Sequence, residues 1–483
     1  MPQTSITVPV TELADAVACP VLFPGSAEYD LARRLWNADI DRRPAAIARV
    51  RDAHDVSAVL RWSTANGFPV TVRSGGHNLA GTAAMDGAVQ IDTRLIDRIE
   101  VDEESGLISV GGGCNWGQVD RACEGTGLVV PAGVVSHTGV AGLTLGGGFG
   151  YLARVHGATV DHLESIEVVV ADGTILEVNA DSHPDLFRAM KGAGHNYGVA
   201  TRFTFRAQKL AGLATVRLAL FAATDRRAIL QRFSERAIGM PAEVGTYLRL
   251  YRAPEFWTQI PKEHRGEPLV SVATIRYGDP ADEPAATAAI FEGFEPIYLD
   301  VRTMPHVTLQ HQTDDEFRYG LRHYWKHTFI EELTDEVIDT LIEHADRYPG
   351  RTLNSSAYIS HQVMCPFEII AGPGTAREQG DDALPSGRVL NYSANIGADW
   401  EHPSEKAALV AWAREFSDAL SPVGAGTYIN FTSVQGDDAV ARAVYGEKYE
   451  ALAATKRRYD PENVFRRGLV DLSDPGDDAG AGE

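Results

Sequence analysis

The sequence predicts an α+β fold of more than one domain, on three observations. Strand-like and helix-like segments mix through residues 1–207 without the repeated βαβ unit of a doubly wound sheet. The glycines gather in several loops instead of forming one strand-to-helix fingerprint. At 483 residues the chain is also too long for one ordinary hydrophobic core.

The elements follow in order. Val56, Val59, Leu60 and Trp62 in HDVSAVLRWSTANG fall at helical spacing, and Gly67 supplies the stop. FPVTVR is a strand running into the turn SGGH, and AVQIDTRL and GLISVGGG are further strands. NWGQVDRACEGTG is a short helix capped by Asn115. SIEVVVADGTILEV alternates on both sides of Asp172-Gly173, which predicts a hairpin with a type I′ turn. PDLFRAMKGAG has proline in its first turn and glycine at its end, the asymmetry of a helix. Farther on, ATVRLALF and LVSVATIRY are strands. TDEVIDTLIEHADRY and SEKAALVAWAREFSDAL are amphipathic helices, the first with Val337, Ile338, Leu341 and Ile342 on one face. EQGDDALPSG is a polar loop. Tyr445, Tyr449, Leu452 and Tyr459 recur at helical spacing until DPEN ends the helix, and the small acidic residues 473–483 predict a disordered tail.

Composition narrows the function. A content of 44% hydrophobic and 23% charged residues is that of a soluble globular protein. The formal net charge of -22 argues against nucleic acid and anionic membrane surfaces, both of which reward basic patches. No apolar run is long enough to span a bilayer and the start lacks the order of a secretory signal, so a cytoplasmic location is expected. Cys19, Cys114, Cys123 and Cys365 show no metal or redox spacing. Nothing speaks to oligomeric state.

Four glycine-rich segments stand out: RSGGHNLAG, GGGCNWG, GVAGLTLGGGFG and GAGHNYG. A dinucleotide fingerprint wants GxGxxG; Gly146 to Gly150 are too dense, and Gly192, Gly194 and Gly198 are spaced GxGxxxG. Any one such loop is ordinarily a turn. Together they point to an extended anion or ring system lying against bare backbone, with amide N–H groups holding a pyrophosphate where lysine and arginine are scarce. His77, at the tip of the first loop, is placed to reach that group.

RSGGHNLAG, PAGVVSHTGVAGLTLGGGFGYLAR, GAGHNYGVAT, YINF and YGEKYEALAATKRRYDPENVFR resemble, in order, the motifs of the berberine-bridge-enzyme-like FAD-linked oxidases. That family lies within the vanillyl-alcohol-oxidase superfamily and includes bacterial 6-hydroxy-D-nicotine oxidase-type enzymes. The resemblance covers residues 36–205 and 428–466 and is much weaker between them. It implies a PCMH-type FAD-binding domain over 1–207, an inserted substrate domain over 208–427 (an antiparallel sheet covered by helices) and a C-terminal return over 428–472. It further implies that His77 is bonded to the 8α carbon of the flavin, with Arg73, Ser74, Gly75, Gly76 and Asn78 wrapping the pyrophosphate. Thr138, Gly139, Gly142, Gly146, Gly147, Gly148, Gly198, Val199 and Asn430 would also meet the cofactor, and Tyr428 would act as catalytic base.

Departures from the pattern carry information. Many relatives attach FAD a second time through a cysteine whose place is held here by Val135, so one covalent bond, through His77, is expected. Thr138 stands where the family gates oxygen, and its small side chain favours an oxidase releasing hydrogen peroxide. RRGLVDL departs from the family's tail, so no tail contacts are carried over. An unperturbed tyrosine has a pKa of about 10, and lowering it by roughly 2 units corresponds to about 3 kcal/mol of phenolate stabilisation. A nearby cation, with Lys326 and Arg388 as candidates, or the flavin environment would have to supply it; the plainer reading makes Tyr428 a sheet tyrosine with a satisfied hydroxyl. HYWKH places His323 and His327 four apart, yet Tyr324 stands where a zincin has glutamate, so no metal is expected. No GxSxG elbow supports a hydrolase. The resulting expectation is an FAD-dependent oxidase that takes a hydride from a C–OH carbon of a small secondary metabolite or sugar and passes electrons to O2. C–N oxidation, dehydrogenase behaviour and a non-catalytic flavin-binding protein are the alternatives.

Overall fold

The computed structural model describes residues 8–350, 367–371, 382–384, 391–433, 438–466 and 468. Cys365, Arg388, most of EQGDDALPSG and the tail 473–483 lie outside the described residues.

Three main sheets organise the chain. The first has four strands, β1 (Val21–Leu22), β2 (Ala46–Arg49), β3 (Val70–Arg73) and β4 (Val89–Asp92), in the order β1-β2-β4-β3. β4 is parallel to both β2 and β3, and the helix Ala53–Ala65 makes the crossover from β2 to β3. Asp52 caps that helix, accepting from the Asp55 N–H at 2.8 Å, and its buried face (Val56, Val59 and Leu60) closes the core over the sheet. One such unit is not a repeat, and the rest of the chain is antiparallel, as an α+β assignment requires.

The second sheet joins β5 (Ile99–Asp102), β6 (Leu107–Gly111), β8 (Leu163–Val169), β9 (Ile175–Asn179) and β10 (Val199–Arg206) in the order β5-β6-β10-β8-β9. A small ribbon pairs β7 (Leu128–Val129) with β11 (Gln208–Lys209). The β8–β9 hairpin corrects the expected turn. Only Gly173 has positive φ (+78°) and Asp172 does not, so a type I turn followed by a left-handed glycine replaces type I′. The Gly173 N–H to Val170 C=O bond (2.9 Å) closes it, and a three-residue connection with a glycine bulge fits the strand twist as well.

The third sheet is wholly antiparallel, in the order β15-β12-β14-β13-β17-β18-β16. Its strands are β12 (Leu213–Ala222), β13 (Val244–Arg252), β14 (Pro268–Gly278), β15 (Tyr298–Met304), β16 (Arg322–Ile330), β17 (Phe367–Ala371) and β18 (Tyr392–Trp400). Helices Arg226–Arg236, Asp335–Asp346 and Lys406–Leu420 cover one face, sharing a core with Leu248, Val270 and Ala394. β16 matters most for the site. His323, Trp325, His327 and Phe329 are buried on one side of it, as the two-residue period of a strand demands.

The C-terminal segment returns to the second sheet's core, where Ile429, Tyr445, Tyr449 and Leu452 pack with Phe203 and Phe205. The tyrosines do not share one helix. Gly446 (φ +51°) separates Asp438–Tyr445 from Tyr449–Tyr459. The DPEN motif does more than end the second helix. The buried Lys456 ammonium donates to Asp460 (2.6 Å), to the Asn196 carbonyl (2.7 Å) and to the Phe465 carbonyl (3.2 Å). The Asp460 carboxylate in turn accepts from the Val464 and Phe465 N–H groups. Removing one partner of a buried ion pair leaves an uncompensated charge, which costs about 3–5 kcal/mol. Asp460→Ala is therefore expected to lower the urea unfolding free energy by about that amount, while the exposed Glu462→Ala changes it by less than about 0.5 kcal/mol.

Candidate functional site

Two contiguous clefts open where the first loop meets the segment 133–142. The larger spans about 1200 Å³ of space, open solvent included, and the smaller about 690 Å³, and they share Val72, Ser74, Thr82, Gly142 and His195. Because they share these residues, the two form one elongated cleft that suits an extended group.

The junction is made backbone to backbone. A Cβ on Gly75 would stand 2.4 Å from the Gly139 nitrogen, and one on Gly139 would stand 2.5 Å from the Gly75 nitrogen. Gly76 turns the chain at φ +72°. Gly75, Gly76, His77 and Asn78 then line the larger cleft together with Val135, Thr138, Gly139, Gly142 and Asn430, and Gly198 and Val199 line the smaller. Ser74 borders both while its hydroxyl donates to the Gly112 carbonyl (2.8 Å).

Four of the residues expected at the cofactor do not border these clefts. Arg73 follows Val72 on β3, so it points to the opposite side of the strand, where its buried guanidinium donates to the Ala32 carbonyl. Burial and the nearby Arg94 lower its pKa to about 10. Gly146, Gly147 and Gly148 are required by close packing instead. Their Cβ atoms would meet Asn430 Oδ1 at 2.2 Å, Leu384 at 2.4 Å and Thr159 Oγ1 at 2.1 Å. Gly148 and Asn430 have a further task, because the Gly148 N–H (3.0 Å) and the Asn430 amide (2.8 Å) both donate to the Tyr428 hydroxyl oxygen.

Tyr428 is not a sheet residue; it precedes the single 3₁₀ turn Ile429–Phe431. His327 fixes it from β16, its Nδ1 accepting the Tyr428 N–H (2.9 Å) while its Nε2 meets Ser393 Oγ (2.8 Å). Burial lowers His327 to about 3, so it stays neutral in that role. The expected lowering of the tyrosine is reversed. Burial pushes the Tyr428 phenol up to about 12, and the donors Asn430, Gly148 and Phe149 offset only part of that. His323 pairs with Asp399 (2.6 Å), which also accepts from Trp325 Nε1 (2.7 Å), so both histidines of HYWKH serve the scaffold.

The larger cleft contains groups that composition did not single out. Trp36, Phe149, Phe317, Trp325 and Phe431 supply aromatic walls, and Asn395 a polar spot whose Oδ1 has no hydrogen-bond partner among the described residues. His77 stacks on Trp36 (4.8 Å between centroids, 15°), and Trp36 stacks on His323 (3.8 Å, 5°). His137 Nδ1 lies 2.8 Å from His77 Nε2. Burial lowers both imidazoles below their ordinary value. His195 is also held low, to about 4, and meets the Gly142 carbonyl at 3.1 Å. SHTG and GAGHNYG displayed His137 and His195 in sequence; what they touch exists only once the loops converge.

The segment 44–179 matches the model of the FAD binding domain, and 427–468 matches the berberine and berberine-like model. The chain is 28% identical to an FAD-linked oxidoreductase of Dictyostelium discoideum over 95% of each chain. It is 26% identical to (R)-6-hydroxynicotine oxidase of Paenarthrobacter nicotinovorans over 92% of this chain and 95% of that one. The chain is an FAD-linked oxidoreductase with an FAD binding domain and a berberine-like segment. Solved structures of this fold superpose closely. A BBE-like protein of Physcomitrella patens gives a TM-score of 0.82 at 20% identity, covering 97% of this chain and all of that one. Chitooligosaccharide oxidase gives 0.78 at 20% identity, covering 95% and 99%.

The clefts suit the family's cofactor. Among the described lining residues there is no lysine, arginine, aspartate or glutamate, so an anionic group there meets bare amides, hydroxyls and imidazoles. Gly142 is diagnostic, since its Cβ would meet no atom of the described residues within 4 Å. Gly142→Ala is expected to fold with a wild-type melting temperature yet retain less FAD after desalting. Gly75→Ala, which collides with Gly139, lowers both melting temperature and flavin content.

Proposed function

We propose that this FAD-linked oxidoreductase is an oxidase of neutral hydroxylated ring compounds, sugars or alicyclic alcohols among them, with FAD held by a single bond to His77. The observation that carries the substrate class is the wall beside Tyr428. Phe149, Phe317, Trp325 and Phe431 offer apolar surface, Asn395 and Tyr428 neutral polar groups, and no carboxylate stands ready for a cationic amine among the described lining residues. Bound FAD supplies the hydride acceptor. Val135, a buried valine on the cleft wall, offers no thiol for a second attachment. Thr138, also on that wall, leaves space for O2. C–N oxidation is the second reading, favoured by the similarity to an enzyme named for hydroxynicotine.

Ser74, Gly75, Gly76, Asn78, Gly139, Gly142, Gly198 and Val199 would hold the cofactor through backbone and small side chains. Tyr428 would orient the substrate hydroxyl and accept its proton, with the Gly148 N–H and the Asn430 amide aimed at the oxygen where charge develops. His327 would keep that oxygen in place through the Tyr428 backbone. Anaerobic mixing with a panel of sugars, alicyclic alcohols and amines tests the reading. Hydroxylated rings are expected to bleach the flavin, and admitted air to restore its colour with stoichiometric peroxide. Bleaching by amines alone, or recovery only with a dye, overturns it.

A phenol near 12 is ionised only in trace at neutral pH, and its ionised fraction rises about tenfold per pH unit below that value. Turnover of the wild type is therefore expected to climb from about pH 7 to about pH 9.5. Tyr428→Phe should lose at least about 100-fold in kcat together with that slope, while flavin content stays unchanged. Steady-state rates against pH, normalised to flavin absorbance, read both.

A further inference from the structure

His137 has no part in the chemistry described so far, yet it is the hydrogen-bonding partner of the histidine proposed to carry the flavin. Its Nδ1 lies 2.8 Å from His77 Nε2, and its Nε2 faces the Asp314 carbonyl at 3.5 Å. The segment bearing it is fixed, because the Asp314 carboxylate accepts from the Ser136 N–H (2.9 Å) and hydroxyl (2.6 Å) and also meets His311 Nδ1 (2.7 Å). His77 is confined from the other sides by the Trp36 stack and by the edge of Tyr319 (5.6 Å), whose hydroxyl donates to the Gly75 carbonyl (2.9 Å).

Proton placement follows from these contacts. Two neutral imidazoles in contact through one hydrogen bond share one proton between them. A carbonyl can only accept, so the Asp314 contact favours the His137 tautomer with its proton on Nε2. His137 Nδ1 is then a bare acceptor, and His77 carries its proton on Nε2, facing His137. That leaves the lone pair on His77 Nδ1.

Resting on the covalent reading above, we propose that His137 is the proton acceptor that makes His77 a nucleophile toward the 8α carbon of FAD during self-attachment. In the step, a C–H bond of the 8α methyl breaks and its proton leaves to solvent. His77 Nδ1 forms the new C–N bond, and the Nε2 proton passes to His137 Nδ1, so the positive charge moves off the alkylated ring onto His137, whose Nε2–H faces the Asp314 carbonyl. The two electrons released from the C–H bond remain on the isoalloxazine until dioxygen takes them, with two protons, as hydrogen peroxide.

The test uses full-length apoprotein incubated with FAD in air. Flavin absorbance after desalting reports binding, and the yellow pellet after acid precipitation reports the bond. The wild type is expected to turn acid-stable, whereas His137→Ala and His137→Gln bind FAD but attach it at least about 10-fold more slowly. Added imidazole should speed attachment in His137→Ala and leave the wild type unchanged, a response that a purely packing role does not give. His77→Ala should bind FAD and never become acid-stable. If both His137 variants attach FAD at the wild-type rate, or neither binds it, or imidazole has no effect, His137 is not the acceptor and the inference falls while single attachment stands. If the wild type releases all its flavin in acid, the covalent reading falls and takes this inference with it.

Discussion

The site depends on a contact that only glycine permits. Two loops far apart in sequence, one after β3 and one before the helix Val140–Leu145, meet at Gly75 and Gly139 with no side chain between them. That approach sets His77 against His137 and puts Thr138 and Val135 on the same wall. β3 is aligned by its parallel pairing with β4, so the direction in which the first loop leaves the sheet is fixed by main-chain hydrogen bonds. A methyl group at either glycine would force the loops apart and open the cleft along its floor.

The opposite wall is built on another principle. β16 presents alternate residues to two environments, and the buried set His323, Trp325 and His327 faces the cleft side while Tyr324 packs against the helices that cover the sheet. His323 braces Trp36, which braces His77. His327 braces Tyr428. One strand thus supports both the proposed attachment residue and the proposed base, and ties the antiparallel sheet to the two segments that flank it in sequence.

Much of this was legible in the residues. Capped helices and alternating strands are local, and Asn115 caps where composition places a helix start. The glycine density marked the cleft because close approach leaves only that residue possible. What misled was the side on which things fall. Arg73 belongs to the RSGGH motif, yet strand alternation turns it away from the cleft toward Ala32. Gly146, Gly147 and Gly148 lie in the densest run, and their reason is packing against Asn430, Leu384 and Thr159, all distant in sequence or in another loop. His137 and Trp36 could not be singled out, because their importance consists of partners that only the fold supplies. The direction of the Tyr428 shift was likewise invisible, since it follows from burial and not from neighbours along the chain.

The described cysteines acquire meaning in this light. Burial raises the thiols of Cys114 and Cys123 to about 12 and that of Cys19 to about 11. A thiol reacts with peroxide through its anion, and at these values almost none exists at neutral pH. A catalyst that generates an oxidant at every turnover would meet its own by-product before anything else does. By keeping these three thiols protonated and away from solvent, the fold makes them poor targets for the reagent it is proposed to release.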